Sequence, residues 1–237
     1  MLYLIGLGLW DEKDISLRGL DICKKCDHVY AELYTAKWGG DLNELEKIIS
    51  KDITIIDRIG MEEDSKKIIE EAKEKKIAVL IPGDPLLATT HIKIVQEARE
   101  MKVKTEIVHS SSIYTGIGES GLSLYNFGKV VTIPTPQENY EPTLFYDEIK
   151  KNRSLGLHTL VLLDIEMPAQ DGLKRILDID KNMGKRNVIV MSKLGSNKKI
   201  IKHDTIETLS KETIPAPAVI LIPGKLHFTE EEFLDKL

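Results

Sequence analysis

Short apolar runs alternate with amphipathic segments through the first half of this 237-residue chain. Residues 2–7, 28–33, 53–57, 77–81 and 105–109 have the length and composition of strands, and most segments between them have helical periodicity. Strands that alternate with helices at this spacing form βαβ units, in which the strands run parallel. The sequence therefore predicts an α/β fold with a mainly parallel sheet in its first half.

The sequence changes in character near residue 110. A stretch of small residues, 112–118, precedes a strand that contains a proline, 130–134. Three apolar runs that end in polar or glycine residues follow at 158–165, 188–195 and 218–227. These runs favour a second sheet whose strand ends face a cleft, and no linker or repeat separates the two halves. We therefore predict two closely packed domains, 1–110 and 111–237.

The chain carries a formal net charge of -5 at pH 7, and its lysine pairs stand among acidic residues. Binding to nucleic acid needs concentrated positive charge, so we expect no nucleic-acid partner. No apolar run approaches the roughly 18 residues of a membrane span, and the chain starts on an apolar strand without a cleavable signal. We therefore expect a cytoplasmic protein that does not enter a membrane.

Only two cysteines occur, Cys23 and Cys26, and both lie late in a helix that we predict to begin after an N-cap at Ser16. A redox pair belongs at the start of a helix, where the dipole lowers the thiol pKa, and a structural zinc site needs two further ligands. Neither condition is met. We therefore interpret the thiols as small apolar packing residues and expect no metal site.

The turn Pro82-Gly83-Asp84-Pro85 joins the predicted strand 77–81 to a predicted helix, 92–99. In open α/β sheets, ligands bind at the carboxyl ends of the strands, which is where this turn lies. Gly83 lets a ligand come close to the backbone, and Asp84 offers a carboxylate to an ammonium or a sugar hydroxyl. The alternative is an ordinary tight turn that uses Asp84 and Gly83 for its geometry alone.

The loop after the first strand, 6–9, is rich in glycine but fits no common nucleotide-binding motif. A dinucleotide fingerprint that starts at Gly6 would need glycine at position 11, which is Asp11. The common methyltransferase loop usually follows an acidic residue at the end of the strand, where this chain has Leu4 and Ile5. The loop is therefore atypical for both classes.

Seven short motifs are distributed along the chain from the first strand to the C-terminal helix. In order they are Ile5-Gly6-Leu7-Gly8-Leu9 with Asp11 and Asp14-Ile15-Ser16, Pro82-Gly83-Asp84-Pro85, Ala88-Thr89-Thr90-His91, Ser111-Ser112-Ile113, His158-Thr159-Leu160, Leu163-Asp164-Ile165 and Pro223-Gly224-Lys225-Leu226-His227. Together they resemble the diphthine synthases, a family within the tetrapyrrole-methylase-like superfamily of S-adenosylmethionine methyltransferases. The turn at Asp84 is typical of the whole superfamily, whereas the motif that ends at His227 is more specific to the diphthine synthases.

The resemblance implies a two-domain tetrapyrrole-methylase-like fold with a mainly parallel N-terminal sheet, a mixed C-terminal sheet and S-adenosylmethionine in the cleft between the domains. It also implies a homodimer whose protein substrate is translation elongation factor 2. The enzyme would methylate the amino group of a 3-amino-3-carboxypropyl-histidine, three times, to give diphthine. The cofactor contacts that the resemblance implies fall on Leu9, Asp84, Leu87, Ser112, Ile113, Leu163, Leu194 and His227.

Methyl transfer to an amine requires the amine to be neutral, and the free energy of removing its proton is small. An α-amine with a pKa of about 8 is neutral in roughly a tenth of the molecules at pH 7, which costs about 1.4 kcal/mol. Positioning supplies ~7 to 11 kcal/mol, so we predict no catalytic residue. His91, His109 and Tyr114 fit the substrate side, but a helix surface, a strand end and a core edge explain them equally well.

Two other functions stay open from the residues alone. A methylase that acts on carbon atoms of a corrin or porphyrin precursor would need arginines for the carboxylates of its substrate. The arginines of this chain are scattered: Arg58, Arg99, Arg153, Arg175 and Arg186. A non-catalytic module that senses S-adenosylmethionine is the second alternative, and the complete set of loops argues against it.

Overall fold

The computed structural model describes residues 1–138 and 141–237. The chain forms two compact units, Met1–Gly116 and Ile117–Leu237. The sequence placed the boundary after residue 110, and the two units divide within the segment of small residues, 112–118, that follows it. Among the described residues, no helix has the length and apolar character that crossing a membrane requires.

The first unit consists of five strands and the helices between them. Its elements are β1 (Leu2–Gly6), α1 (Leu17–Lys25), β2 (His28–Glu32), α2 (Leu42–Ile49), β3 (Ile53–Ile56), α3 (Arg58–Glu62), α4 (Ser65–Glu74), β4 (Ile77–Ile81), α5 (Ile92–Glu100), β5 (Thr105–Val108) and α6 (Ile113–Gly116). The strands lie in the order β3-β2-β4-β1-β5, and every pair is parallel. The predicted parallel sheet is confirmed, and β1 lies between β4 and β5.

The helical periodicity of residues 61–75 predicts one helix there, and that prediction is wrong in its extent. Two helices, α3 and α4, occupy the region, because Asp57 accepts a hydrogen bond from the Gly60 N–H at 2.8 Å and starts a separate helix. The predicted N-cap of α1 is confirmed, since the Ser16 hydroxyl accepts from the Gly19 N–H at 3.0 Å.

Alternate residues of the central strands pack on opposite faces of the first sheet. Leu4 and Val79 belong to one buried cluster, and Ile5 and Leu80 belong to the other. The second cluster includes Cys23 and Cys26, both fully buried. Burial raises the pKa of Cys23 to about 12 and that of Cys26 to about 11, so both thiols are protonated at neutral pH. The interpretation of the pair as packing residues is confirmed.

The second unit contains a further five-stranded sheet. Its strands and α-helices are β6 (Val131–Ile133), α7 (Leu144–Ser154), β7 (Thr159–Leu163), α8 (Ala169–Ile179), β8 (Asn187–Ser192), β9 (Ile200–Thr205), α9 (Ile206–Leu209), β10 (Ala218–Ile222) and α10 (Phe228–Leu234). Short 3-10 helices cover Ile117–Ser120, Leu124–Asn126 and Lys181–Lys185. The strand order is β6-β7-β10-β8-β9.

The second sheet is mixed, as predicted. β6 and β7 are parallel, whereas β10 runs antiparallel to both β7 and β8, and β9 runs antiparallel to β8. The expectation that all strand ends face one cleft is therefore wrong. The carboxyl ends of β7 and β8 lie at one sheet edge, and the carboxyl end of β10 lies at the opposite edge, because an antiparallel neighbour reverses the chain direction.

Candidate functional site

Three loops meet at the carboxyl edge of the first sheet. They follow the neighbouring strands β4, β1 and β5, so their first residues start side by side. Backbone hydrogen bonds join the first two loops, because Gly8 N donates to Gly83 O at 3.2 Å and Gly83 N donates to Gly8 O at 2.9 Å. Parallel strands thus bring Gly8, Asp84 and Ser112 to one edge.

Glycine is required where these loops approach one another. A Cβ on Gly6 would lie 2.5 Å from the carbonyl oxygen of Gly83 and 2.7 Å from Cβ of Ser110. Gly8 has a φ of +85°, and a side chain there would collide with Asp14. Asp14 in turn accepts a hydrogen bond from Trp10 N at 2.7 Å and holds the end of the first loop. The glycines therefore allow backbone to lie where other loops have side chains.

Asp84 is buried at this edge and is only 5% exposed. Its carboxylate accepts hydrogen bonds from His109 Nδ1 at 2.7 Å, Ser110 N at 3.3 Å and Leu86 N at 3.1 Å. The bond to Leu86 closes a local turn after Gly83, whose φ is +70°. Asp84 and Gly83 thus do form a tight turn, which is the alternative interpretation of this motif. The carboxylate nevertheless lies beside the other two loops, and a tight turn alone does not require a buried carboxylate at that place.

Ser112 carries a buried hydroxyl without a hydrogen-bond partner. The residue is 4% exposed, and its Oγ contacts no donor or acceptor within the described chain. Its backbone is well satisfied, because Ser112 N donates to Thr115 Oγ1 at 3.1 Å and that hydroxyl donates back to Ser112 O. Since unpaired buried hydroxyls cost free energy, the Ser112 Oγ is a natural partner for a bound ligand.

Three apolar residues of the predicted set belong to the same loops. Leu87 is 40% exposed, and Leu9 and Ile113 are half-buried. Partly exposed aliphatic side chains around a few polar groups are typical of small-molecule sites. The loops after β1, β4 and β5, together with the first residue of α6, therefore contain five of the predicted residues. Ser112 and Ile113, which the sequence placed in the second domain, belong to the first unit.

The predicted residues of the second unit are not gathered in the same way. Leu163 ends β7, and Leu194 follows β8 at the same sheet edge. The side chain of Leu163 packs toward Gly172 of α8 and is half-buried. His227 follows β10 and therefore lies at the opposite edge of this sheet.

His227 is the N-cap residue of α10. Its Nδ1 accepts from Thr229 N at 3.5 Å, and its backbone N–H donates to Glu230 at 2.7 Å, which completes a capping box. The ring is exposed and lies against Phe228, with 4.3 Å between the ring centroids. This position gives His227 a structural role in addition to the predicted contact with the cofactor.

A buried histidine–glutamate pair that the sequence did not predict holds the same region. Gly224 N donates to His158 Nδ1 at 2.9 Å, so the ring proton resides on Nε2, which donates to Glu230 at 3.2 Å. Glu230 also accepts from Ser123 N at 2.7 Å. His158 and Glu230 are both almost fully buried. They fasten the start of β7, the end of β10 and α10 to one another.

Stability of the second unit should depend on the ionisation of Glu230. Burial favours the neutral acid, but hydrogen bonds from His227 N, Ser123 N and His158 outweigh it and hold the pKa of Glu230 below its ordinary value. A depressed carboxyl pKa stabilises the folded state above the ordinary value of about 4.3 and loses this contribution as the pH falls through the folded pKa.

We therefore expect the melting temperature to fall on acidification from pH 6 to pH 3, and to fall less steeply in Glu230→Gln, whose side chain does not ionise. Thermal melts at intervals of half a pH unit measure the difference. The matched control is Glu231→Gln, which removes the adjacent exposed carboxylate of α10. If the pH profiles of Glu230→Gln and the control coincide, the network does not contribute as described.

His91 is not on a helix surface, so that structural interpretation is wrong. The ring is 1% exposed at the start of α5, and Nδ1 donates to the carbonyl of Pro85 at 3.2 Å. Burial lowers the pKa of His91 and raises that of Glu32, which lies 3.6 Å from its Nε2. His91 therefore fastens the end of the Asp84 loop to its beginning. His109 follows β5 at a strand end, as predicted.

Within the described residues, no group of three or more histidine, cysteine, aspartate or glutamate side chains could hold a metal ion. The donors at the carboxyl edge of the first sheet are instead one carboxylate, one hydroxyl and backbone groups. This donor set suits an organic ligand that carries positive charge and hydrogen-bonding groups.

The chain is similar to a protein family and to individual proteins with known names. The family described as Tetrapyrrole (Corrin/Porphyrin) Methylases matches residues 1–210. The chain is similar to the diphthine synthases of Methanococcus maripaludis strain C5, with 42% identity over 251 residues, and of Methanocaldococcus jannaschii, with 41% over 254 residues; each comparison covers 100% of this chain and 98% of the relative. It is also similar to a crystal structure of diphthine synthase, with a TM-score of 0.93 and 37% identity over 99% of this chain and 94% of the other.

Proposed function

The chain belongs to the tetrapyrrole methylase family and, within it, to the diphthine synthases, and we propose that it forms diphthine on translation elongation factor 2. It is an S-adenosylmethionine-dependent methyltransferase of diphthamide biosynthesis. The proposed acceptor is the amino group of a 3-amino-3-carboxypropyl-histidine, which receives three methyl groups. Similarity to diphthine synthases along 100% of the chain carries the proposal.

The loops of the first unit suit the cofactor. When bound, S-adenosylmethionine supplies an electrophilic methyl group on a positively charged sulfur. Asp84 places a buried negative charge in these loops, and the unpaired Ser112 hydroxyl can donate or accept one hydrogen bond. Leu9, Leu87 and Ile113 add apolar surface for the adenine and ribose. The roles of these five residues, and of Leu163, Leu194 and His227, are our proposal.

The residues of the proposed site include no group that must act as an acid or base in the reaction. The proposed work of this chain is to orient the acceptor amine and to keep water away from the reacting atoms. Hydrogen bonds already engage the two histidines of this region, since buried His91 is bonded to Pro85 and exposed His109 is bonded to Asp84. We therefore propose that neither histidine transfers a proton.

The decisive experiment combines purified protein, S-adenosylmethionine labelled on its methyl group and elongation factor 2 that carries the unmethylated intermediate. We expect label in the factor, and mass spectrometry should show up to three added methyl groups on the modified histidine. The matched control is elongation factor 2 without the 3-amino-3-carboxypropyl group, which should stay unlabelled. Label in a porphyrinoid instead of the factor would refute the substrate, and binding of the cofactor without turnover would identify a sensor.

Ser112→Ala separates binding of the cofactor from stability. Removal of an unpaired buried hydroxyl should leave the melting temperature of the free protein unchanged or slightly higher. Loss of one hydrogen bond to S-adenosylmethionine should weaken its binding by about 1 kcal/mol, roughly fivefold. Calorimetric titration and thermal melts measure the two effects, and Ser111→Ala, at an exposed neighbour, is the control. Unchanged affinity in a folded Ser112→Ala protein would remove this residue from the proposed site.

Two further parts of the proposal concern assembly and location. We propose that the protein forms a homodimer and works in the cytoplasm. Light scattering after size-exclusion chromatography measures the molecular mass of the assembly over a range of concentrations. A mass of one chain at every concentration would contradict the homodimer.

A further inference from the structure

The second unit contains a basic cavity that the methyltransferase reaction does not use. The cavity has a volume of 480 Å³ and lies where β7 and β8 begin and where β10 ends. Its lining includes Lys150, Arg153 and Ser154 of α7, Arg186 before β8, and Pro223 and Lys225 after β10. Four of its lining residues are cations, and none is an acid.

Three of these cations lack an ionic partner. Lys150 forms an ion pair with Asp147 at 2.8 Å, but Arg153, Arg186 and Lys225 form none within the part of the chain that the structure describes. The guanidinium of Arg153 contacts the sulfur of Met183, a weak acceptor, at 3.2 Å. Asp180, which accepts a hydrogen bond from Tyr146, is near enough to Arg153 to offset part of its charge. No carboxylate of the described residues lines the cavity itself, so most of its positive charge faces the open space.

The two arginines lie close enough to affect one another. Arg186 is exposed as a residue, but partial desolvation of its guanidinium lowers the pKa of the side chain, and the positive charge of Arg153 lowers that pKa further. Arg153 stands in the last turn of α7, where a cation also interacts favourably with the helix dipole. That explanation does not apply to Arg186 or Lys225, which reach the cavity from other segments. A bound anion would relieve the repulsion between the two arginines and would also meet the charge of Lys225.

The lining at the end of β10 is held in place before any ligand binds. Lys225 N donates to Gly156 O at 2.9 Å, and a side chain on Gly224 would collide with the carbonyl oxygen of Leu157. His158 accepts from Gly224 N and fixes the same crossing of the two segments. The Pro-Gly-Lys part of the sequence motif therefore forms a rigid wall of the cavity, and rigid walls reduce the entropic cost of binding.

We propose that this cavity binds a phosphate-bearing small molecule, with the phosphate on Arg153, Arg186 and Lys225. Two planar guanidinium groups and one ammonium match the charge and the several oxygens of a phosphate, whereas a single carboxylate would leave positive charge unpaired. The volume exceeds that of free phosphate, and Pro223 and the aliphatic stem of Lys150 offer apolar surface to an organic part.

The cavity is separate from the second-unit edge that holds Leu163 and Leu194. Those residues lie at the far ends of β7 and β8, about 16 Å away for a strand of five residues. His227, the remaining predicted contact in this unit, lies at the same edge as the cavity, but its ring packs against Phe228 and does not line the cavity. A phosphate compound should therefore bind without displacing S-adenosylmethionine, and the proposal does not depend on the identity of the methyl acceptor.

The test is calorimetric titration of the full-length protein with pyrophosphate and, separately, with ADP. Pyrophosphate measures the anion alone, and ADP adds an organic part. Arg186→Gln and Lys225→Gln should each weaken binding about tenfold, the effect of one charge-assisted hydrogen bond. Arg99→Gln removes an exposed arginine of the first unit and should change nothing. The affinity for S-adenosylmethionine should stay the same in all three variants.

Binding of either probe with this pattern of variants supports the site, and tighter binding of ADP than of pyrophosphate assigns the organic part to the cavity. The proposal fails if neither probe binds at millimolar concentration, or if Arg99→Gln weakens binding as much as the cavity variants do. It also fails if S-adenosylmethionine competes with the probes, because the cavity would then belong to the cofactor site. Thermal melts check folding, and exposed Lys225 provides the test if Arg186→Gln unfolds.

Discussion

Replacing Asp84 with alanine should weaken the binding of S-adenosylmethionine by about 100-fold, because a buried carboxylate that meets a cation or a hydroxyl contributes up to ~3 kcal/mol. The same change leaves Ser110 N and Leu86 N without an acceptor. We therefore expect the free energy of unfolding to fall by about 2 kcal/mol as well. Asp84→Asn keeps the volume and one acceptor oxygen, so it should lose affinity with a smaller loss of stability.

Calorimetric titration with S-adenosylmethionine and urea denaturation measure the two effects separately. The matched control is Asp57→Ala, which removes the carboxylate that caps α3 and should cost about 1 kcal/mol of stability without affecting the cofactor. A folded Asp84→Asn protein with unchanged affinity would leave Asp84 with a role in turn geometry only, which is the alternative that the sequence left open.

Replacing Gly6 with alanine should damage the first unit more than any surface change. The new Cβ would lie 2.5 Å from the carbonyl oxygen of Gly83, a backbone atom that cannot turn aside as a side chain can. The loops after β1 and β4 would have to separate, and we expect a loss of about 3 kcal/mol in the free energy of unfolding. Because Asp84 follows Gly83, the affinity for S-adenosylmethionine should fall at least tenfold in the folded fraction.

Gly118→Ala is the matched control for this substitution. A Cβ at Gly118 would have no atom within 4 Å, so the same chemical change is expected to leave stability within about 0.5 kcal/mol of the wild type. Urea denaturation of both variants gives the comparison. Equal stabilities for Gly6→Ala and Gly118→Ala would mean that the first-unit loops do not require the close approach.

The first unit could be predicted well because the alternation of strands and helices determines the direction of its strands. Strands that alternate with helices must run parallel, and parallel strands deliver their following loops to one edge. For that reason the loop that carries Asp84 could be predicted to lie at the carboxyl edge of the sheet. Ser112 was assigned to the site only by the family resemblance, and its place in the first unit follows from the structure. The hydroxyl of Ser112 could not be predicted to lack a partner, since that depends on how the neighbouring loops pack.

The second unit was harder to predict because an apolar run does not reveal its direction. β10 runs antiparallel to its neighbours, which moves His227 away from Leu163 and Leu194 in the sheet. β9 was missed because Lys202, His203 and Asp204 interrupt its apolar character, as is common at a sheet edge. His158 and Glu230 are separated by 72 positions in the sequence, so their pairing could not be predicted. The sequence shows only that a polar residue stands next to an apolar segment at each position.

The parallel order of the first sheet also determines where a reporter group could be attached. The turns that lead into β4 and β5, such as 75–76 and 101–104, lie at the amino edge of the sheet, opposite the three loops of the site. About 16 Å of strand separates the two edges. A fluorescent label on a cysteine introduced at exposed Lys102 should therefore leave cofactor binding intact while it reports rotation or assembly of the whole protein.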